Sequence, residues 1–129
     1  MDFQQGLITT IHEYGVTNDL LKELNKNLKK RPTTILIPCL YEEFERPALK
    51  DIREVLKELS GLNELVIALS AKTIEQVKAA KLFFDSMPFP VHIQWTNSPS
   101  VIELLKNQEK NGLELLGTPG KGWAVWQGI

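Results

Sequence analysis

Two kinds of hydrophobic pattern alternate along the chain. Short, nearly continuous apolar runs rich in β-branched residues predict buried parallel strands, and a run that alternates apolar and polar residues predicts a third strand nearer a sheet edge. These three runs are residues 33–37, 65–69 and 91–95. Apolar residues spaced three and four apart predict helices in the segments between and before them. The predicted helices are residues 3–14, 19–30, 47–59 and 73–84, with a shorter one around 101–105.

The alternation of strands and helices predicts a Rossmann-like three-layer α/β/α fold with a mainly parallel sheet and right-handed crossovers. We expect Pro38 to close the first strand and Pro47 to begin the helix that follows it. Parallel sheets bind ligands outside the carboxyl ends of their strands. The residues to inspect for chemistry are therefore those after each strand, at 38–43, 70–73 and 96–98, together with a glycine turn at 120–122.

Composition and charge narrow the class of protein. The chain has 129 residues, of which 43% are hydrophobic and 24% are charged, as in one globular domain or part of one. A net charge of -1 gives no electrostatic footprint for nucleic acid. The one cysteine, Cys39, has no partner for an internal disulfide, so we expect a reducing compartment, the cytoplasm. No apolar run approaches the roughly 20 residues of a membrane span, so we expect no membrane partner.

The segment Pro38 to Glu43 carries the first candidate chemistry. It leaves a predicted buried strand with an apolar surface, an aromatic ring and two carboxylates. Leu40 or Tyr41 can pack on a flat heterocycle, and a carboxylate can accept hydrogen bonds from a ribose diol. An ordinary loop, whose acids precede a helix and favour its positive end, explains the same residues. Both interpretations stay open on the pattern alone.

The turn Gly120-Lys121-Gly122 is the second candidate. Its glycines let the backbone approach an anion while one ammonium group reaches it, and a helix start adds peptide N–H groups. The turn lacks the spacing of a P-loop, which disfavours a Walker-type ATPase, and a surface turn with a solvated lysine is the alternative. For Cys39 a core position is favoured over a nucleophile, because the sequence places no histidine beside it. No cysteine and histidine cluster has zinc spacing.

Three segments in this order resemble the N-terminal half of GT-A glycosyltransferases. They are Thr34 to Glu43, Glu64 to Ser70, and Pro119 to Ala124. In that family the first strand ends in Pro-x-x-Asn-Glu, the second ends in a pair such as Asp-Ser, and a Gly-Lys-Gly turn precedes a helix. The likeness is greatest to the family-two-type enzymes and their retaining relatives, the glucosyl-3-phosphoglycerate synthases. The resemblance covers about residues 33–129.

This resemblance implies a nucleotide-sugar donor, UDP- or GDP-linked, and a small acceptor, with glycerate and 3-phosphoglycerate as candidates. Tyr41 stands where the family has Asn, and Leu69 stands where many members have a base-reading Asp, so the base is left open. The resemblance implies that Pro38, Cys39 and Leu40 hold the base and that Glu42 binds the ribose. It assigns Ser70 to the edge of the base and Lys121 to the base or the diphosphate. Gly120 and Gly122 permit the close approach of the ligand in this resemblance.

The family's metal-binding Asp-x-Asp and its catalytic groups follow the next strand, so the resemblance places them beyond Ile129. We therefore expect Mg or Mn in the full-length enzyme, no metal or catalytic residue in this chain, and no glycosyl transfer by these 129 residues alone. We expect the chain to divide into an N-terminal helical extension, 1–31, and a nucleotide-binding βαβ portion of a GT-A domain, 32–129, incomplete at its C-terminus. A sheet left with an open edge predicts a homodimer or other self-association.

Two other classes of function stay open on the sequence. A stand-alone nucleotide-binding or regulatory module would keep the same half-site without chemistry. A non-catalytic interaction domain would have no nucleotide ligand, so Glu42→Ala and Lys121→Ala would change no nucleotide affinity.

Overall fold

The computed structural model describes residues 18–112 and 120–129. Within these ranges three strands form one parallel sheet in the order β1, β2, β3. The strands are β1 Thr34–Leu40, β2 Glu64–Ser70 and β3 Val91–Trp95. The helices are α1 Asn18–Lys30, α2 Pro47–Lys57, α3 Ile74–Phe83, α4 Pro99–Lys110 and α5 Lys121–Gly128. The Rossmann-like α/β fold predicted from the sequence is confirmed, while the predicted helix at 3–14 lies outside the described residues.

Strand β2 is the centre of the sheet, hydrogen-bonded to β1 on one side and β3 on the other. Its nearly unbroken apolar sequence fits this place, since Leu65, Ile67, Ala68 and Leu69 are fully buried. The alternating strand β3 lies at an edge of the described sheet, as its pattern predicts. None of the helices in the described ranges has the length and apolar character needed to cross a membrane.

The two faces of the sheet are covered by different helices. Side chains alternate between faces along a strand, so the odd-numbered residues of these in-register strands share one face. That face forms the main core with α2 and α3, through Cys39, Leu65, Ile67, Leu69, Leu49, Leu56, Ala80 and Phe84. Helix α5 packs on the opposite face, where Gly128 lies against Leu36.

The course of β1 corrects one expectation. Pro38 does not close the strand, which continues through it to Leu40. Proline lacks an N–H group, but an edge strand can accept it, because one side of its backbone has no ladder hydrogen bond to lose. The strand is followed at once by a 3-10 helix at Tyr41–Glu45, called here the 3-10 turn, which the sequence pattern did not predict.

The helix starts follow capping chemistry. Thr73 accepts a hydrogen bond from the backbone N–H of Gln76 at 3.4 Å and caps α3. Ser98 accepts one from the N–H of Val101 at 3.2 Å and caps α4. Helix α4 is longer than the predicted short helix, and α2 ends two residues before its predicted end at 59. The starts of α3 and α4 are therefore set by side chains that satisfy a free N–H group, whereas α2 begins at a proline with no side-chain cap.

Helix α1 is tied to the turn between α2 and β2. The side-chain amide of Asn25 donates to the carbonyl of Glu58 at 2.8 Å and accepts from the N–H of Gly61 at 3.0 Å. Leu28 packs against the core beside this contact. A Cβ atom at position 61 would collide with the backbone carbonyl of Asn25, so the close approach requires glycine there. The boundary proposed after residue 31 stays a prediction, although α1 packs on the sheet unit.

We expect Gly61→Ala to destabilise the fold by about 1–3 kcal/mol, because the added methyl group forces α1 away from the turn. Urea unfolding followed by circular dichroism measures the change. Gly122→Ala is the matched control, since a Cβ there meets no atom within 4 Å, and in a helix it should change stability by about 1 kcal/mol or less, in the stabilising direction. Equal midpoints for Gly61→Ala and the unmodified chain would contradict the tight docking of α1.

Candidate functional site

The carboxyl ends of β1 and β2 lie side by side. Leu40, the last residue of β1, pairs with Ser70, the last residue of β2. The 3-10 turn continues directly from Leu40 and carries Glu42, so the segment 38–42 and Ser70 meet at one edge of the sheet. Leu40 is 55% exposed there, which leaves an apolar surface at the end of β1, a half-buried edge strand of the described sheet. The structure thus brings together the sequence-predicted residues of β1 and β2, whose role in binding stays a prediction.

An aromatic cluster holds the 3-10 turn in place. The ring of Tyr41 stacks on that of Phe44 with centroids 5.5 Å apart. Phe44 in turn makes edge-on contacts with Phe83, the last residue of α3, and Phe84, its C-terminal cap, at centroid distances of 5.1 Å and 6.0 Å. Aromatic contacts of this geometry add stability beyond the area that they bury. The turn therefore presents the exposed carboxylate of Glu42 from a fixed support.

Glu42 forms an ion pair with Lys72, across the gap between the two loops. The ammonium nitrogen Nζ of Lys72 lies 3.2 Å from the carboxylate oxygen Oε1 of Glu42. A backbone hydrogen bond at Glu42 and, after it, the hydrogen bond from Lys72 lower the pKa of this carboxyl group. Glu42 is thus an anion at neutral pH. Lys72 falls in the stretch 70–73 that the sequence marks for inspection, but no motif singles it out.

The end of β3 fixes the loop that follows β2. Asn97 accepts a hydrogen bond from the N–H of Ala71 at 3.0 Å, and the indole N–H of Trp95 donates to the carbonyl of Ala71 at 2.9 Å. Thr96 is fully buried and donates its hydroxyl to the carbonyl of Leu69 at 3.0 Å. The inspected stretch 96–98 therefore positions the neighbouring loop.

Cys39 belongs to the core. Its side chain is 7% exposed and lies on the face covered by α2 and α3. Burial, with a smaller contribution from the charge of Glu43, raises the pKa of the thiol to about 11. The group is protonated at neutral pH and is a poor nucleophile. A contact between Cys39 and a ligand at the sheet edge would therefore come from its backbone.

The glycine turn begins α5. Gly120 is the N-terminal cap of this helix, and its carbonyl accepts from the N–H of Ala124 at 3.0 Å. Lys121 is exposed in the first turn, about 10 Å of helix axis before Gly128, which lies over Leu36. No protein atom lies where a Cβ at Gly122 would stand, so packing within the described residues does not demand glycine there.

A cavity of about 440 Å³ has none of residues 38–42, 70 and 120–122 in its lining. It lies beside β3, between α3 and α5, and its polar lining includes Lys78, Lys81, His92, Gln94 and Gln127. Among residues 18–112 and 120–129, no group of three or more His, Cys, Asp or Glu side chains is placed to hold a metal ion. The described residues therefore do not fit the divalent cation that the resemblance implies for the full-length enzyme.

Comparison with known proteins supports the resemblance. The chain is 37% identical over 127 residues to glucosyl-3-phosphoglycerate synthase of Methanococcoides burtonii, with 98% of the chain and 31% of the relative aligned. It is 34% identical over 131 residues to the enzyme of the same name from Persephonella marina, with 98% of the chain and 32% of the relative aligned. The chain thus spans about a third of the length of these relatives. Neither a protein-family model nor a solved structure matches it.

The similarity covers nearly the whole chain, and the predicted resemblance to a glycosyltransferase is confirmed for this stretch of sequence. Helix α1, Asn18–Lys30, belongs to the predicted N-terminal extension. In the structure it packs against the turn before β2.

Cys39 should react slowly with iodoacetamide. With its pKa raised from 9.0 to about 11, the thiolate fraction at pH 8 falls about 100-fold relative to the unfolded chain. Mass spectrometry of the labelled chain, with and without urea, measures the two rates. The folded state holds this proton more tightly, so its stabilising contribution is complete below pH 9 and is lost as the pH rises towards 11. Equal labelling rates in both states would show that Cys39 is not buried.

Proposed function

We propose that this chain binds the nucleotide of a sugar donor at the carboxyl ends of β1 and β2, as the donor-binding part of a glycosyltransferase. The observation that carries the proposal is the placement of Leu40, Glu42 and Ser70 at one sheet edge. Similarity to two glucosyl-3-phosphoglycerate synthases supports it. For the whole protein we propose transfer of a glucosyl group to 3-phosphoglycerate, as the name of those relatives states, with glycerate as the other candidate acceptor.

The end of β1 supplies complementary surfaces for a nucleoside. The exposed side chain of Leu40 offers apolar contact to the face of a base. Glu42 is ionised, and a carboxylate can accept hydrogen bonds from both hydroxyls of a ribose diol. Ser70, beside Leu40 in the register, carries a hydroxyl that can donate to or accept from the edge of the base. Base and ribose are thus assigned to neighbouring residues.

Lys121 is assigned to the base or the diphosphate. It is exposed at the start of α5, where free peptide N–H groups and the helix dipole favour an anion. Gly120 and Gly122 flank it without side chains, which leaves room for a phosphate to approach the backbone. These assignments follow the resemblance position by position, and the open space around Gly122 supports them.

Glu42→Gln tests the ribose contact. The amide keeps the size of the side chain but loses the charge and one acceptor, so we expect UDP or GDP to bind about tenfold more weakly. Glu45→Gln, in the same 3-10 turn, is the matched control and should leave the affinity within about twofold. Isothermal titration calorimetry with each nucleotide measures both. An unmodified chain that binds neither UDP nor GDP would overturn the proposed function.

We also propose that the chain self-associates through the edge of β3 that has no strand partner among the described residues. This edge strand carries no lysine, glutamate or proline between its ends, and such residues usually protect exposed edges. We expect light scattering to show a mass that rises with concentration. His92→Lys should shift the chain to a monomer, because a cation on an edge strand opposes pairing with a second copy, while the new side chain can keep the contact to Glu64. A monomer at every concentration would contradict the proposal.

A further inference from the structure

We propose that Lys72 is a phosphate-binding residue of the nucleotide site, and that it leaves Glu42 for the ligand when a nucleotide binds. This inference rests on the proposed function, since it concerns the same sheet edge. It adds a residue that neither the strand-end motif nor the glycine turn contains. The structural basis is the ion pair that joins the loops after β1 and β2.

The ion pair is built to open easily. The side chains of Lys72 and Glu42 are 78% and 57% exposed. Exposed pairs of this kind contribute little to stability, because water solvates both charges and the long side chains lose freedom when they pair. A ligand that offers each charge a better partner can therefore replace the contact at small cost.

The backbone of Lys72 is held without this ion pair. Its N–H donates to the side-chain oxygen of Gln76 at 2.7 Å. The preceding residue, Ala71, is fixed at both its N–H and its carbonyl by Asn97 and Trp95. The loop thus keeps its shape when the ammonium group moves. The side chain of Lys72 thus places an exposed charge on a fixed backbone, an arrangement that suits a ligand contact better than a structural ion pair.

A nucleoside diphosphate carries the two groups that this exchange needs. Its ribose hydroxyls can donate to the carboxylate of Glu42 and take the place of the ammonium group. Its phosphates are attached to the same ribose ring as these hydroxyls. They provide Lys72 with an anion of higher charge than the carboxylate of Glu42. Binding therefore replaces one exposed ion pair by two contacts to a single ligand. A nucleoside without phosphate can offer only the first of these contacts.

The experiment compares ligands that differ only in phosphate. Calorimetry is run with uridine, UMP and UDP, and with the guanosine series, on the unmodified chain and on Lys72→Met, which keeps most of the length of the side chain without its charge. We expect Lys72→Met to weaken UDP or GDP about five- to tenfold. The nucleoside should bind as tightly as before or more tightly, because Glu42 no longer has to release a lysine.

Lys30→Met is the matched control. Lys30 is an exposed lysine at the end of α1, ahead of the amino end of β1 and so at the opposite edge of the sheet. Its loss should leave the ratio of diphosphate to nucleoside affinity unchanged. Lys72→Gln should reproduce Lys72→Met, and urea unfolding of both variants confirms that they are folded.

The outcomes separate this inference from the proposed function. If the unmodified chain binds UDP or GDP and Lys72→Met binds it equally well, the role of Lys72 is wrong while the proposed function stands. If Lys72→Met weakens nucleoside and diphosphate by the same factor, Lys72 is a structural residue and the inference is wrong. If the unmodified chain binds no member of either series, the inference and the proposed function fail together.

Discussion

Burial of β2 between two parallel neighbours is the constraint on which the rest of the structure depends. Its side chains Leu65, Ile67 and Leu69 reach the core beneath α2 and α3, while Ala68 is buried on the face that α5 covers. Both edges of its backbone are hydrogen-bonded, so the register of β1 and β3 is fixed against it. A shift of one residue in this register would turn Leu65, Ile67 and Leu69 away from α2 and α3 and towards the face that α5 covers. The position of every strand end follows from this register.

At the carboxyl edge of the sheet, the ends of β1 and β2 differ in character from the end of β3. At the ends of β1 and β2, the side chains of Leu40 and Glu42 are exposed and their supports are fixed by aromatic and backbone contacts. At the end of β3, Trp95, Thr96 and Asn97 turn towards the β2 loop and use their polar groups to hold it. A binding surface needs exposed groups on a rigid base, and the β3 end supplies part of that rigidity.

Local pattern predicts much of this fold because the signals are themselves local. The apolar runs of β1, β2 and β3 can be recognised within a few residues. The prediction that Pro38 ends β1 is wrong because the effect of a proline depends on whether the strand has a hydrogen-bonded neighbour on that side, which is a property of the sheet. The polar contacts of the site are even harder to predict from the sequence. Glu42 meets Lys72, and Ala71 meets Asn97, only because the register brings segments 30 and 26 residues apart to one edge.

The buried position of Leu69 shapes how a base can be recognised. Many members of the family that the sequence resembles carry an aspartate there, but this side chain is fully buried in the core and cannot reach a ligand. In the proposed nucleotide site, recognition of the base edge would fall to Ser70 and to backbone groups of 38–40. A hydroxyl can donate or accept, so it discriminates less between bases than a carboxylate, which only accepts. In the proposed site, the contacts to sugar and phosphate would therefore supply more of the binding free energy than the contacts to the base, and the charges of Glu42 and Lys72 would matter more than base recognition.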